Sequence, residues 1–206
     1  AETDADGRLV ALDASETTRK LVVSRALDAD VDAAALRYAA LDAAGRGLGP
    51  LSGRAEATVT LGGATVTVDH GQPALRGRDV WGTVVPWGRV WRTGADRATH
   101  LTATRDLVLG AAEGATLRVP AGTHTLYTVP EPDGGALVVS RQTGQNGASY
   151  DASQDHGRVP LAVRTLGAPV ERLEVAVEPG AGGGPDGRLV VRWGLRELSV
   201  PVRVSE

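Results

Sequence analysis

Alternation of apolar and polar residues with a period of two dominates the chain. In "AEATVTL" (55–61), Ala55, Ala57, Val59 and Leu61 fall on one face and Glu56, Thr58 and Thr60 on the other, as in a half-buried strand. Gly62-Gly63 follows, able to take positive φ at both positions, and "ATVTVDH" (64–70) returns with the same alternation, so a β-hairpin is expected. At the other end "RLVVRW" and "LSVPVRV" flank "GLRE" in the same manner, with Leu198, Val200, Val202 and Val204 in register. Pro201 lies on the opposite face and cannot donate a ladder bond, which predicts an edge or bulged strand there. Between these lie "ATHLTAT", "ATLRVP", "THTLYTV", "GALVVS", "GRVPLAV" and "VERLEVAVE", separated by Gly, Pro, Asp or Asn. The spacing predicts an all-β, antiparallel sandwich or partly closed barrel.

The first 54 residues follow a different pattern and are expected to form an N-terminal β-rich extension (1–54) on the main domain (55–206). "GRLVALD" and "RKLVVSR" read as strands. The Ala-rich "VDAAALRYAALDAAG" (31–45) reads either as a helix ending at Gly45 or as a further strand; strand is the expectation, by analogy with its neighbours. A polar start such as "AETDADG" orders only if something holds it. These strands can add to an edge of their own sandwich, the Pro201 strand being the expected one, or to an edge of a second copy, which would make self-association by strand addition.

Composition narrows the classes. The chain has 206 residues, no Cys, Met or Phe, four Trp and three Tyr, so its core is built from Val, Leu and Ala with few large rings. A net charge of −3 argues against a nucleic-acid partner. No apolar run approaches the roughly 18 residues that cross a bilayer, so membrane insertion is not expected. The start without Met reads as a chain whose signal peptide has been removed, secreted or periplasmic, with its Ala, Gly, Asp and Arg bias typical of a GC-rich bacterial genome.

The stretch "VPWGRVWRTGADRATH" (85–100) concentrates candidate chemistry. Trp81, Trp87 and Trp91 fall close together, and the first expectation is packing: the indoles staple a long connection onto the sandwich. On that reading Trp91 is buried and Arg92 pairs with Asp96, Asp106 or Asp155, because an unpaired guanidinium beside indoles is costly. The alternative is a cleft for an anionic or sugar-like ligand, with Arg76, Arg78 and Arg92 as its cations and Trp87 and Trp91 as its platform. Asp96, Gln145, Tyr150 and Asp155 complete that candidate set. Of the four histidines, His100, His124 and His156 form a weak candidate metal set; no pair has the spacing of a helical or strand metal motif. Nucleophilic catalysis has no signature: no Cys and no G-x-S-x-G occur, and Ser149 reads as a turn residue. Asp151 and Asp155 in one loop do not define a glycosidase pair. "GAGGGPDG" lacks the Lys-Ser/Thr of a phosphate loop. No cofactor is expected.

Three runs, "LRGRDVWGTVVPWGRVWRTGADRAT", "LRVPAGTHTLYTVP" and "GQNGASYDASQD", together resemble a secreted bacterial family, domain-of-unknown-function family 2911. The family pattern is R-G-R, an aromatic-Gly pair, V-P-[YW]-G, W-R-T-G-A-[ND]-x-A-T, P-A-G-T-[YH], then Q-x-G before Tyr-Asp. Its elements fall at Arg76 to Arg78, Trp81-Gly82, Val85 to Gly88, Trp91 to Thr99, Pro120 to His124 and Gln145 to Asp151, within a resemblance covering about residues 55–204. The departures are Asn146 where Trp is usual, Asp96 for Asn and His124 for Tyr. The resemblance implies a β-rich fold and export, and no particular activity. The combined expectation is an exported, non-catalytic binding or structural module, with an anionic-ligand or metal-dependent binder or enzyme as the alternative.

Overall fold

The computed structural model describes residues 1–15, 21–25, 30–44, 52–182 and 184–205. The chain divides into two compact units, Ala1–Gly49 and Pro50–Glu206. The first contains β1 (Glu2–Thr3), β2 (Leu9–Ala14) and β3 (Leu21–Ser24), an antiparallel sheet in that order, then α1 (Val31–Ala43). The expected strand over 31–45 is therefore a helix. Ala is the strongest helix former, and the Asp30 carboxylate caps the first turn by accepting from the Ala33 N–H at 2.9 Å. No apolar stripe runs along this helix, so periodicity carried no helical signal. The expected terminator, Gly45, lies outside the described residues.

The second unit is an all-β sandwich. Its strands are β4 (Ser52–Leu61), β5 (Ala64–Pro73), β6 (Thr99–Ala103), β7 (Leu107–Leu109), β8 (Leu117–Val119), β9 (Gly122–Glu131), β10 (Gly134–Ser140), β11 (Asp155–Pro160), β12 (Ala162–Pro179) and β13 (Asp186–Val204). They form a six-stranded sheet, β11-β10-β9-β6-β5-β4, and a four-stranded sheet, β12-β13-β7-β8, with antiparallel ladders throughout. Neither closes, so the barrel form of the expectation is not realised. The predicted hairpin is β4–β5, pairing Leu61 with Ala64 across Gly62 (φ 50°) and Gly63 (φ 77°), both in the left-handed region that a tight hairpin turn requires.

The core lies between the sheets. Val66 and Val68 of β5, Leu101 of β6, Leu126 of β9 and Leu137 and Val139 of β10 face Leu173, Val175 and Val177 of β12 and the apolar face of β13. His70 continues the inward face of β5 and is 2% exposed; its Nε2 lies 3.2 Å from the Leu173 carbonyl and 3.3 Å from the Val175 nitrogen of β12. No helix among the described residues is long and apolar enough to cross a membrane.

β13 departs from expectation in two ways. Its two apolar halves are arms of one long strand rather than a hairpin, and both pair with β12. Leu189, Val191 and Trp193 face inward on odd positions, whereas Leu198, Val200, Val202 and Val204 do so on even ones. The phase changes at Gly194, whose φ is 58°. The strand is also interior to its sheet: β12 pairs with it as far as Ser199, and β7 takes over from Val202. Pro201 sits at that handover, where neither ladder needs an N–H, and its carbonyl still accepts from Gly110 at 2.9 Å.

On the outer face of this sheet the β12–β13 register sets Glu178 opposite Arg188, Glu174 opposite Arg192 and Arg164 opposite Glu197. The bend brings both arms of β13 together over Glu197, whose carboxylate has no exposed side-chain surface. It accepts from Arg164 (2.8 Å), Arg188 (2.9 Å) and Arg192 (2.6 Å). Nine residues of extended strand would separate Arg188 from Glu197 by about 30 Å, so the ion pair requires the bend.

Burial pushes the Glu197 carboxyl up from its ordinary 4.5, but the hydrogen bonds from Arg164 and Arg192 outweigh it and hold it at about 2. A depressed folded-state value stabilises the protein above about pH 4.5, and that contribution is lost as pH falls toward 2. Glu197→Gln should cost about 2 kcal/mol at neutral pH, the range of charge-assisted hydrogen bonds reduced for the exposed Arg164 and Arg188 heads, and should flatten the acid limb. Urea midpoints of both proteins across pH test this; a variant within about 0.5 kcal/mol of the parent contradicts the clamp.

Burial lowers the His70 imidazole below 6.5, so the folded protein binds that proton less readily than the unfolded chain. Stability should fall as pH drops below 6.5 toward the folded-state value. Imidazole NMR checks the cause: His70 should stay neutral at pH 6.5, and half-protonation there or higher would refute it.

Candidate functional site

The segment between β5 and β6 has no regular secondary structure, and its backbone is pinned at separate points. Trp91 exchanges both backbone hydrogen bonds with Thr128 of β9, at 2.7 and 2.9 Å. Thr93 (φ 51°) and Asp96 (φ 61°) adopt the left-handed region, and the Thr99 hydroxyl fixes the turn by donating to the Thr93 carbonyl at 2.9 Å. The turn packs directly on β5: a Cβ at Gly71 would run into the backbone of Ala95. The Q-x-G element closes the other side, with Gly147 N–H donating to the Asp96 carbonyl and Ala98 N–H to that of Gln145. Two motif segments far apart in sequence thus form one layer.

The indoles form a continuous chain. Trp87 stacks on Trp81 (5.9 Å), Trp81 meets Trp91 edge-on (5.9 Å), and Trp91 stacks on Trp193 of β13 (6.1 Å, 6° between planes). The Trp81 Nε1 donates to the Trp193 carbonyl at 3.0 Å. Arg196 covers the outer end, 4.8 Å from the Trp87 ring and 5.6 Å from Trp81. Trp91 is 7% exposed and Trp193 1%. The stapling role expected of the indoles is real.

Beside this chain opens a cleft of about 530 Å³. Trp91 and Trp193 form part of its lining, Tyr127 and Tyr150 meet edge-to-face at 4.9 Å in its wall, and Arg78, Arg92 and Asp96 supply the charge. The expected ion pair of Arg92 is absent. Asp106 pairs with Arg118, Asp155 with Arg158, and Asp96 accepts from the Ser52 hydroxyl at 3.0 Å. Arg92 donates from Nε to the Gly94 carbonyl at 3.2 Å and has no carboxylate partner among the described residues. Its stem is held by close packing against Gly147, where a Cβ would come within 3.0 Å of Arg92 Cδ. The reason is local: Gly94 and the left-handed Asp96 turn the Asp96 side chain toward Ser52. The buried Trp193 Nε1 has no hydrogen-bond partner among the described residues.

The structure therefore gathers Arg78, Trp91, Arg92, Asp96 and Tyr150 around one cleft. Gln145 and Asp155 stand behind it. Gln145 Nε2 donates to the Tyr127 hydroxyl at 3.1 Å, and the Tyr150 hydroxyl donates to Asp155 at 2.8 Å while accepting from Arg158 at 2.8 Å. Burial, then the Asp155 carboxylate, raises the Tyr150 phenol above its ordinary range. Arg76 and Trp87 are not among the lining residues; the Arg76 N–H donates to Glu171, and Trp87 belongs to the outer end of the indole chain. His124 and His156 are neighbours, with ring centroids 6.0 Å apart. His100 faces the other side of the sheet, pairing with Thr125 where Leu101 pairs with His124, and accepts from the Gly144 N–H at 3.2 Å. Among the described residues no three His, Cys, Asp or Glu side chains gather as a metal site. Of the cleft residues absent from the sequence expectation, Ser52, Pro73, Tyr127 and Trp193 lie on strands and reach the site only through sheet pairing.

Fold and site together define an antiparallel β-sandwich carrying an aromatic cleft with unneutralised arginine. The chain belongs to the family described as Protein of unknown function (DUF2911), which it matches over residues 52–202. No curated protein and no solved structure matches it.

Trp91→Ala should destabilise the protein by about 3–5 kcal/mol, as for other buried large-ring deletions, because it removes the middle of the indole chain. Chemical denaturation measures this. A loss under about 1 kcal/mol would mean that the segment is held by its backbone contacts alone.

Proposed function

We propose that this chain is a non-catalytic binding module, working at the cell envelope or outside the cell, that takes a carboxylate-bearing sugar in the cleft beside Arg92. One observation carries the reading: a part-buried guanidinium beside indoles that no carboxylate neutralises among the described residues. Such a group is costly to leave without an anion, and its fork geometry matches a carboxylate. The aromatic and aliphatic lining, with Pro73, Val84 and Val90 beside the rings, suits the carbon face of a sugar ring. Tyr150, whose hydroxyl already donates and accepts, serves as a fixed wall.

A second reading rests on the first unit. Leu9 and Val10 of β2 and Leu21, Val22 and Val23 of β3 are exposed, Val22 at 64%, and β3 is an edge of its sheet. A second copy can pair along the β3 edge and extend this sheet. Removing residues 1–26 should then abolish association while leaving the melting temperature of the sandwich unchanged; an unaltered assembly state in light scattering would discard this reading.

Calorimetry with D-galacturonate tests the cleft. Arg92→Ala should weaken binding at least tenfold; with no ion pair lost, its stability cost should stay near about 1 kcal/mol, from the Gly94 hydrogen bond and the packing on Gly147. Failure of the parent protein to bind any uronate would refute the proposal.

A further inference from the structure

The first cleft has a neighbour. A second hollow of about 430 Å³ is lined by Leu75, Asp79, Trp81, Pro169, Leu195 and Arg196, and Arg78 lines both hollows. The wall between them is aromatic, with Trp81 on the second side in edge contact with Trp91 on the first. Arg78 is anchored at this saddle by donating from Nε to the Leu75 carbonyl (2.9 Å) and from Nη2 to the Ala74 carbonyl (2.8 Å). Neither bond neutralises its charge, and no carboxylate pairs with it among the described residues. In the second hollow Leu195 is 52% exposed, an apolar side chain kept in solvent beside the Trp81 ring. Arg196 is held over that ring by the carbonyls of Glu131 and Pro132, at 2.9 and 2.7 Å.

We infer that the binding site runs past Arg78 into the second hollow and that its ligand is an acidic oligosaccharide with a carboxylate on successive sugar units. The inference rests on the reading of the Arg92 cleft and extends it. Each hollow falls within the ~300–1,000 Å³ range of small-molecule sites, so the pair holds consecutive units of a chain. The cations are spaced, Arg92 inside the first hollow and Arg78 between the two, which suits one charge per ring. A polyphosphate or nucleic acid would bring denser charge against Asp96 and Asp79 and against the overall charge of −3. Joining units that occupy adjacent hollows raises affinity, because the second unit binds at high effective concentration.

The test compares D-galacturonate, tetragalacturonate, neutral cellotetraose and polyphosphate by calorimetry on the full chain, its Arg92→Ala variant and its Leu195→Glu variant. Tetragalacturonate should bind the parent at least tenfold more tightly than the monomer, with cellotetraose much weaker. Leu195→Glu sets a carboxylate in the second hollow only; it should remove that gain and leave monomer affinity and melting temperature unchanged. Arg92→Ala should weaken both uronates. Equal affinity for monomer and tetramer, or a gain that survives Leu195→Glu, overturns the extended site while the Arg92 cleft stands. Tighter binding of cellotetraose or polyphosphate overturns the ligand class, and absence of any uronate binding removes both proposals.

Discussion

The stack of Trp91 on Trp193 is the contact on which the site depends. One ring belongs to an irregular segment and the other to an interior strand of the smaller sheet. A core without Phe or Met has few other groups able to fill the space beneath a long connection. The stack fixes the start of the W-R-T-G-A run, and the Thr128 backbone pair fixes its direction. Arg92 then leaves the stack with its stem against Gly147 and its part-buried head in the wall of the cleft. Packing and binding are therefore consecutive uses of the same residues rather than rival accounts of them.

The bent β13 strand has a comparable position in the fold. Its phase change at Gly194 turns Trp193 inward on one arm and Leu198 inward on the other, and the same bend brings Arg188 and Arg192 to Glu197, where Arg164 of β12 joins them. A carboxylate so enclosed is tolerable only because Arg164 meets it in cross-strand register while the bend brings Arg188 and Arg192 of its own strand to it. The clamp and the aromatic cleft thus lie on the two sides of one strand, and the geometry at Gly194 serves both.

Much of this was legible in the sequence, and what was missed has physical causes. The β4–β5 hairpin, the strand-rich domain and burial of Trp91 follow from alternation, from Gly-Gly and from the scarcity of large rings. Residues 31–43 were misread because an Ala-rich helix without an apolar stripe has no period to detect. Pro201 predicts an edge or bulged strand because sequence shows the missing donor but not the change of neighbour that makes it harmless inside the sheet. The Arg92 error is of another kind: three carboxylates were within imaginable reach, and only the fold reveals that each has another partner. Tyr127 and Trp193 reach the cleft through strand pairing, which a single sequence does not encode locally. The phase change from Trp193 to Leu198 was visible, however, and marks the bend.

The handover at Pro201 also orders the assembly of the smaller sheet. The β12–β13 ladder joins neighbours in sequence and closes a short loop, so it forms at low entropic cost. The β7–β8 pair is equally local, but its place beside that ladder depends on residues 202–204, which meet Leu107 to Leu109 across nearly half the chain. Without that last arm, the long β12–β13 hairpin and the short β7–β8 hairpin share no ladder. The four-stranded layer is therefore joined only through residues 202–204, and a chain lacking them would leave the β7–β8 hairpin without its neighbour in the sheet.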